Sequence, residues 1–417
     1  MQLSLREQFP DIPELVLWKA EMLFTGVRYT ESLREAVVAG ATPNFYPHRK
    51  KDGNGKVEVI PVPYLFNLDD NAVARLRVDD NSRFEVKDDG LWASGEHLCD
   101  VNFVQRDSWQ GFRTDDGLDP AAAGISQMGD MLVVNAAPGC EYFTASAPGL
   151  KSMRCSFCAY GRFDKRSLTL GQKQGVNALA GLALERIEQV VRASCESSVV
   201  RHVYITGGSV LSPVDEVERF VPIIEAVRRG CGDKLRVTIG SGAVDPEGSQ
   251  RYRDAGADSA CYNLEVWDPQ TFEACCTGKA QYVGRQRWLD GLQGAVEVFG
   301  RGNVGSAFVA GLELGAPAPG MTSAQMIDSI LEGATYLLDR GITPLYSPLW
   351  PVDGTGYKPK DGLSAETYVR LEYELYKLRA EREFAVPNWL TCPSCSYMLL
   401  EVDFDRAFGL KAEATSC

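Results

Sequence analysis

The sequence lacks the features that carry a chain into or across a membrane. Its 417 residues include no long hydrophobic run, and the longest apolar stretches, such as LVVNAA and ALAGLAL, are far too short to span a bilayer. The N-terminal segment MQLSLREQFPDIPELVLW has neither the basic start nor the apolar core of a signal peptide. We therefore expect a soluble, cytoplasmic protein.

Positive charge and histidine are also scarce. The 43 lysines and arginines face 56 aspartates and glutamates, which gives a formal net charge of -13. Such a surface disfavours nonspecific nucleic-acid binding, because that binding depends on neutralising phosphates. The three histidines are scattered, and neither His-Glu-x-x-His nor Gly-x-Ser-x-Gly occurs. Hydrolases of those two kinds are thereby excluded.

From residue 131 onward, short apolar runs alternate with helical patterns, which is typical of βα units. The predicted strands are 131–135, 199–206, 235–239, 259–265, 304–312 and 343–349. The predicted helices after them are 176–195, 212–229, 247–255, 285–299, 322–340 and 364–384. Such a series predicts an α/β fold with a parallel sheet, open or curled into a (βα)6-type partial TIM barrel. Ligands of such folds bind at the carboxyl ends of the strands.

Three regions follow from this pattern. Residues 1–130 mix helical and short strand patterns with a hairpin signal at Asp88-Asp89-Gly90, and predict an α+β extension of unknown role. Within them, 106–127 is polar and rich in Asp and Gly, and it predicts a linker or a flexible loop. Residues 131–355 form the predicted barrel. Residues 356–417 are expected to be a helical and loop extension that covers the substrate pocket.

Cysteine is the residue type that carries chemistry here. Cys140, Cys155 and Cys158 form a C-x14-C-x2-C motif directly after the first predicted barrel strand. A structural zinc site takes four ligands, and an ordinary electron-transfer cubane takes four cysteines. Three thiolates leave one iron of a cubane open to another ligand. The motif therefore predicts a cluster at which a small molecule binds to iron.

The segment Cys155-Ser156-Phe157-Cys158 resembles the radical S-adenosylmethionine (SAM) superfamily, whose C-x3-C-x2-C motif has an aromatic residue before the last cysteine. The resemblance implies a [4Fe–4S] cluster on Cys140, Cys155 and Cys158, with SAM chelating the open iron. It also implies reductive cleavage of SAM to methionine and a 5′-deoxyadenosyl radical. Phe157 and Tyr160 are then expected to line the cofactor site. The first spacing departs from the family pattern by an insertion, and Cys99 is an alternative first ligand.

Further SAM contacts are implied by residues at later strand ends. Gly207-Gly208-Ser209 stands where the family shows Gly-Gly-Glu, and Tyr262-Asn263-Leu264-Glu265 resembles the biotin-synthase-like and thiazole-synthase-like branches. The residues expected to hold SAM are Gly207, Gly208, Ser209, Ser241, Glu265, Arg285 and Val309, with Arg287 as the neighbour of Arg285. The alternatives are an ordinary turn for the glycines, a structural carboxylate for Glu265 and a solvated charge for Arg285.

Cys392 and Cys395 form a second C-x2-C pair. They are expected to act in catalysis as hydrogen-atom donors or pocket residues, or to ligate an auxiliary cluster with Cys275, Cys276 or Cys417; an incidental structural pair is the alternative. Tyr346, within residues 346–350, is expected to face the substrate.

The predicted function is hydrogen abstraction from a small polar metabolite by a radical SAM enzyme, with flavodoxin or ferredoxin as external electron donor. One alternative is modification of a peptide or tRNA. Another, of a different class, is a zinc or iron–sulfur binding protein without enzymatic activity.

Overall fold

The computed structural model describes residues 4–44, 47–51, 55–137, 139–146, 148–149, 152–158, 181–350, 355–357 and 363–411. The described chain forms two compact units. The first comprises Met1–Asp107, Ser364–Tyr376 and Thr391–Lys411, and the second contains Ser108–Leu363 and Lys377–Leu390. The three regions predicted with boundaries at residues 130 and 355 stay a prediction, and the compact units divide the chain at other positions.

Strands are numbered in chain order. They are β1 His48–Lys51, β2 Val57–Ile60, β3 Leu65–Leu68, β4 Ala72–Arg75, β5 Phe84–Lys87, β6 Gly90–Ala93, β7 Glu96–Phe103, β8 Ile125–Met128, β9 Met131–Ala137, β10 His202–Gly207, β11 Arg236–Ser241, β12 Ser259–Tyr262, β13 Val304–Ala310 and β14 Ile342–Pro348. The described α-helices are Leu5–Gln8, Glu14–Thr25, Glu31–Val38, Gly181–Ser194, Pro213–Cys231, Pro246–Asp254, Pro269–Cys275, Thr277–Tyr282, Arg285–Phe299, Ser323–Asp339, Ala365–Ala380 and Glu401–Phe408.

The first unit is built on an antiparallel sheet in the order β4-β3-β7-β6-β5. The β5–β6 hairpin pairs Lys87 with Gly90, so Asp88 and Asp89 form a two-residue loop, both with φ above +50°. Aspartate tolerates this conformation, and two positive φ values match the twist of a hairpin. The predicted hairpin and the predicted α+β extension are confirmed.

A buried ion pair joins distant segments of the first unit. Lys19, on the helix Glu14–Thr25, has a fully buried side chain, and its Nζ lies 2.5 Å from Oδ2 of Asp403. The same ammonium donates to the carbonyl of Ser396. Because both charged groups are buried away from water, each is stabilised by the opposite charge of the other. The pair therefore ties the N-terminal helix to the helix Glu401–Phe408.

The second unit is built on a seven-stranded curled sheet in the order β14-β13-β12-β11-β10-β9-β8. Neighbours from β9 to β14 pair in parallel. The helix Pro213–Cys231 begins as its sequence predicts, with Pro213 in the first turn and the Ser212 hydroxyl accepting from the amide of Asp215. The predicted partial barrel is confirmed, and its parallel order brings six strand ends to one edge.

The prediction of a linker at 106–127 is wrong in part. The segment contains a 3-10 turn, Ser108–Gly111, and it runs into β8, which pairs antiparallel with β9. Trp109 is buried and donates from Nε1 to Oε1 of Gln127 at 2.9 Å. An edge strand pairs with one neighbour only, so it needs few apolar residues. The polar composition of β8 therefore gave no strand pattern in the sequence.

None of the described helices combines the length and the apolar character that a membrane crossing requires.

Candidate active site

The cysteine loop leaves β9 at the carboxyl edge of the sheet and folds back on itself. The amide of Met153 donates to the carbonyls of Tyr142 at 2.9 Å and Ala145 at 3.0 Å. The long insertion between the first two cysteines is therefore closed by backbone hydrogen bonds at its base. A tight turn follows, in which the amide of Cys158 donates to the carbonyl of Cys155 at 3.1 Å.

A second support for the loop comes from the segment that joins the helices Pro269–Cys275 and Thr277–Tyr282. The amide of Ser156 donates to the carbonyl of Cys275, and the amide of Gly278 donates to that of Met153, both at 2.8 Å. A Cβ on Gly278 would lie 2.5 Å from the ring of Tyr142. Only glycine permits this approach, so the contact depends on that residue.

The Gly-Gly-Ser turn after β10 lies directly against the first cysteine. A Cβ on Gly208 would stand 2.4 Å from the carbonyl oxygen of Gly139 and 2.6 Å from Cα of Cys140. The amide of Glu141 donates to the carbonyl of Ser209 at 2.9 Å. The structure therefore brings Cys140 and the predicted SAM-binding turn into contact, as expected for neighbouring parallel strands.

Two buried charges hold this turn, and sequence reasoning missed both. Glu216 accepts from the amides of Val210 at 3.1 Å and Gly242 at 2.8 Å, and so joins the ends of β10 and β11. Arg219 lies 2.8 Å from Glu216 and donates to the carbonyl of Gly208. Spaced three residues apart on a helix, the two look like an exposed pair, and no signal in the sequence marks them as buried.

The cysteines differ in how easily they ionise. Burial raises the pKa of Cys140 to about 11, although backbone N–H groups of Tyr142 and Ser209 oppose the shift. The pKa of Cys155 is lowered, first by a hydrogen bond with the Cys276 side chain and also by the charge of Lys279, against the effect of burial. A lowered pKa favours the thiolate, which is the form of cysteine that binds metals.

These residues fit the cofactor that the cysteine motif predicts. Three thiols come from one loop at the carboxyl edge of the sheet, and the hydrogen bond from Met153 to Tyr142 closes that loop between the first two of them. Backbone N–H groups of Tyr142 and Ser209 lower the pKa of Cys140, and the charge of Lys279 lowers that of Cys155; such groups would also favour an anionic cluster. Cys276 adds a further thiol beside Cys155, and its pKa is raised well above the ordinary value by burial.

The competing first ligand, Cys99, lies in the hydrophobic core of the first unit, on β7. Burial raises its pKa to about 12. Phe157 is half-buried beside Cys158, whereas Tyr160 lies outside the described residues.

Of the residues predicted to contact SAM, two lie on barrel strands, whereas Arg285 is bound to another part of the second unit. Ser241 is half-buried at the end of β11, and Val309 is half-buried on β13, on the face opposite Phe308. Arg285 is used elsewhere: it donates from Nε and Nη2 to the carbonyl of Trp267 at 3.1 and 2.8 Å, and lies 4.5 Å over that ring. Its neighbour Arg287 is exposed.

Glu265 forms an ion pair that the sequence did not predict. Its Oε1 lies 2.7 Å from Nζ of Lys279, and the two side chains are 17% and 8% exposed. Its backbone has φ +76° and continues beside β13, with Val309 donating to its carbonyl at 2.8 Å. The Lys279 charge also acts on Cys155, so Glu265 is connected to the cysteine loop through the lysine.

The residues expected at the substrate lie in different places. Tyr346 is buried against the ring of Phe308, and its hydroxyl is 3.4 Å from the carbonyl of Ile330 on the helix Ser323–Asp339. It therefore faces the helix layer. Cys392 and Cys395 belong to the first unit and have buried sulfurs 3.0 Å apart.

No protein-family model matches the chain. Among curated proteins, the bacteriochlorophyllide c C-7(1)-hydroxylase of Chlorobaculum limnaeum is 22% identical over 297 residues, which cover 67% of this chain and 68% of the hydroxylase. Among solved structures, methylornithine synthase is 17% identical over 59% of this chain and 63% of its own, with a TM-score of 0.39. Coproporphyrinogen III oxidase of Escherichia coli, a radical SAM enzyme, is 11% identical over 55% of this chain and 50% of its own, with a TM-score of 0.36.

The sequence relative and the C-x2-C turn at the carboxyl edge of a partial barrel agree with the expectation from the sequence. The chain resembles the radical SAM superfamily. The predicted resemblance is thereby confirmed, and an enzyme with a [4Fe–4S] cluster and SAM is what that resemblance implies. The solved structures, of which the chain spans about half to two thirds, are likenesses of the fold only.

Proposed function

We propose that this radical SAM enzyme abstracts a hydrogen atom from an unactivated C–H bond of a small polar metabolite. One observation carries the proposal: the loop with Cys140, Cys155 and Cys158 packs against Gly208 at the carboxyl edge of the sheet, where parallel α/β folds bind ligands. A cluster held by these three cysteines would supply the electron for reductive cleavage of SAM.

In this proposal Cys140, Cys155 and Cys158 bind the cluster. The turn Gly207-Gly208-Ser209 presents its backbone to SAM, together with Ser241 and Val309. Glu216 and Arg219 keep that turn in place from behind, since both are buried and hydrogen-bonded to backbone groups of the turn and of β11. The protein thus orients cofactors that carry the chemistry, and it excludes water from them.

The substrate class has a second candidate. The curated relative is a hydroxylase of bacteriochlorophyllide c, and its likeness covers 67% of this chain. A tetrapyrrole is larger and more apolar than the metabolite proposed first. Difference spectra on adding a chlorophyllide separate the two, because binding of a pigment shifts its absorption bands and a polar metabolite site leaves them unchanged.

The one-electron reductant is proposed to be a flavodoxin or a ferredoxin. Radical SAM modification of a peptide or tRNA is the alternative substrate class. Metal binding without enzymatic activity is the outcome that the following experiment would favour if it fails.

The experiment uses the full chain, purified and reconstituted without oxygen. Iron and sulfide are quantified, the protein is reduced with dithionite, SAM is added and 5′-deoxyadenosine is assayed. We expect about four irons per chain, as a cubane requires, and slow formation of 5′-deoxyadenosine. Cys155→Ala should abolish both, and the matched Cys99→Ala should retain both. Zinc in place of iron, with SAM intact, would refute the proposal.

A further inference from the structure

Lys279 is a buried cation beside the cysteine loop, and the sequence gives no reason for its burial. Its ammonium donates to the carbonyl of Asn263 at 2.6 Å and to Oε1 of Glu265 at 2.7 Å. It also lies 4.5 Å over the ring of Trp288, close enough for a cation–π interaction. These three contacts fix the position of the charge.

The helix that carries Lys279 is attached to the cysteine loop through its first turn. Met153, two residues before Cys155, accepts at its carbonyl from the amide of Gly278 at 2.8 Å and from Oγ1 of Thr277 at 3.1 Å. Directly before that turn, the carbonyl of Cys275 accepts from the amide of Ser156, the neighbour of Cys155, at 2.8 Å. Lys279 directly follows Gly278, so its buried charge stands beside the cysteine loop, in an interior that screens charge weakly.

The ion pair of Lys279 and Glu265 is hard to explain by stability alone. A buried ion pair seldom stabilises a fold more than apolar side chains of the same size would. Glu265 in addition adopts φ +76°, a left-handed conformation that is strained for a residue with a Cβ. The buried ion pair and the strained backbone of Glu265 both lower stability. Because they lie next to the cysteine loop, a role in function explains their presence better than a role in folding.

We propose that Lys279, held by Glu265, Asn263 and Trp288, is a positioning residue of the cluster site whose fixed positive charge raises the reduction potential of the cluster on Cys155. The inference rests on the proposed function, since it needs the cluster. Reduction adds one negative charge to the cluster, and a nearby cation stabilises the reduced form more than the oxidised form. Without it, the same reductant would reduce a smaller fraction of the clusters.

The test is a redox titration of the reconstituted full-length protein, without SAM, followed by electron paramagnetic resonance. At the wild-type midpoint potential, Lys279→Met should lower the ratio of reduced to oxidised cluster about tenfold, which for one electron corresponds to about 59 mV. Lys279→Arg keeps the charge and should stay near wild type. Lys234→Met is the matched control, because that lysine is 66% exposed and its nearest carboxylate is 3.8 Å away.

Lys279→Met leaves Glu265 buried without its partner, and this variant could fail to assemble a cluster. A second comparison, in which Glu265 is neutral, keeps the test valid in that case. Glu265→Gln alone should raise the midpoint, and the double variant Glu265→Gln/Lys279→Met should lie below Glu265→Gln. Equal midpoints in either comparison overturn the inference while the proposed function stands. A wild-type protein without an iron–sulfur signal overturns the proposed function instead.

Discussion

The molecule contains two C-x2-C turns with the same backbone geometry and different surroundings. In each, the amide of the last cysteine donates to the carbonyl of the first at 3.1 Å, in Cys155–Cys158 of the second unit and in Cys392–Cys395 of the first. The pKa of Cys155 is lowered by Cys276 and Lys279. The Cys392 and Cys395 sulfurs instead lie 3.0 Å from each other, and the amide of Cys392 donates to the sulfur of Cys395.

Two buried lysines extend the comparison. Lys19 of the first unit pairs with Asp403, 384 residues away, whereas Lys279 of the second unit pairs with Glu265, only 14 residues away. The first pair connects distant segments, and the second lies beside the cysteine loop. The C-x2-C spacing therefore determines the backbone of each turn. The side chains that surround the turn determine how readily its cysteines ionise.

The largest expected effect would separate the two turns. Cys158→Ala should remove most of the iron from the reconstituted protein, because a cluster with two cysteines left is held too weakly. Cys395→Ala should keep about four irons per chain, as a single cubane requires. Iron analysis with visible absorption measures both. A value of about eight irons in wild type, falling by half in Cys395→Ala, would instead assign an auxiliary cluster to the second turn.

The next effect concerns the buried lysine of the first unit. Lys19→Met leaves Asp403 buried without its partner, so the free energy of unfolding should fall by about 3 kcal/mol. Urea titration followed by fluorescence measures it. The exposed Lys51→Met in the same unit is the control and should change the free energy of unfolding little. An unchanged midpoint for Lys19→Met would show that this pair has no role in stability.

A buried carboxyl in the second unit predicts a pH effect. Glu313 is 1% exposed, and burial raises its pKa to about 7. Between pH 4.5 and 7 the unfolded chain loses this proton while the folded chain keeps it, so stability should fall as the pH rises through that window. Glu313→Gln, which cannot ionise, should be more stable than wild type at pH 8 by about 3 kcal/mol. Equal pH profiles of the melting temperature would contradict the assignment.

A smaller loss is expected from the turn that touches Cys140. Gly208→Ala places a methyl group 2.4 Å from the backbone oxygen of Gly139, so it should destabilise the second unit by about 2 kcal/mol and reduce iron incorporation. Gly111→Ala is the matched control, since nothing lies within 4 Å of its Cβ position. Normal cluster loading in Gly208→Ala would show that the turn is independent of the first cysteine.

The smallest effect is expected at Arg285. Its guanidinium is already used by the carbonyl and ring of Trp267. Arg285→Gln should therefore change SAM affinity by no more than about twofold, the range of substitutions that remove no contact to the ligand. Equilibrium dialysis with labelled SAM tests this. A loss of an order of magnitude would restore Arg285 to the SAM site that the family resemblance implied.

Local patterns in the sequence predicted much of the fold. Each predicted barrel strand has a counterpart, from β9 to β14, because buried parallel strands are continuous apolar runs. The hairpin at Asp88-Asp89 and the cap at Ser212 were predictable from turn and capping chemistry. The polar edge strand β8 was not, since its hydrogen bonds require a neighbour that its own composition does not reveal.

The candidate site was predictable where residues are consecutive and unpredictable where they meet in space. The turn Cys155–Cys158 and the glycines after β10 are motifs along the chain. Lys279 and Cys276 lie more than 100 residues after Cys155, and no motif connects them. They become part of the site only because the helix Thr277–Tyr282 packs on the cysteine loop.

The most direct test of the central claim is electron paramagnetic resonance of the dithionite-reduced, reconstituted protein before and after addition of SAM. We predict the signal of a reduced [4Fe–4S] cluster whose g values change when SAM binds the open iron, and which is absent in Cys155→Ala. A signal that SAM leaves unchanged, or a protein that binds zinc and gives no signal, would contradict the account.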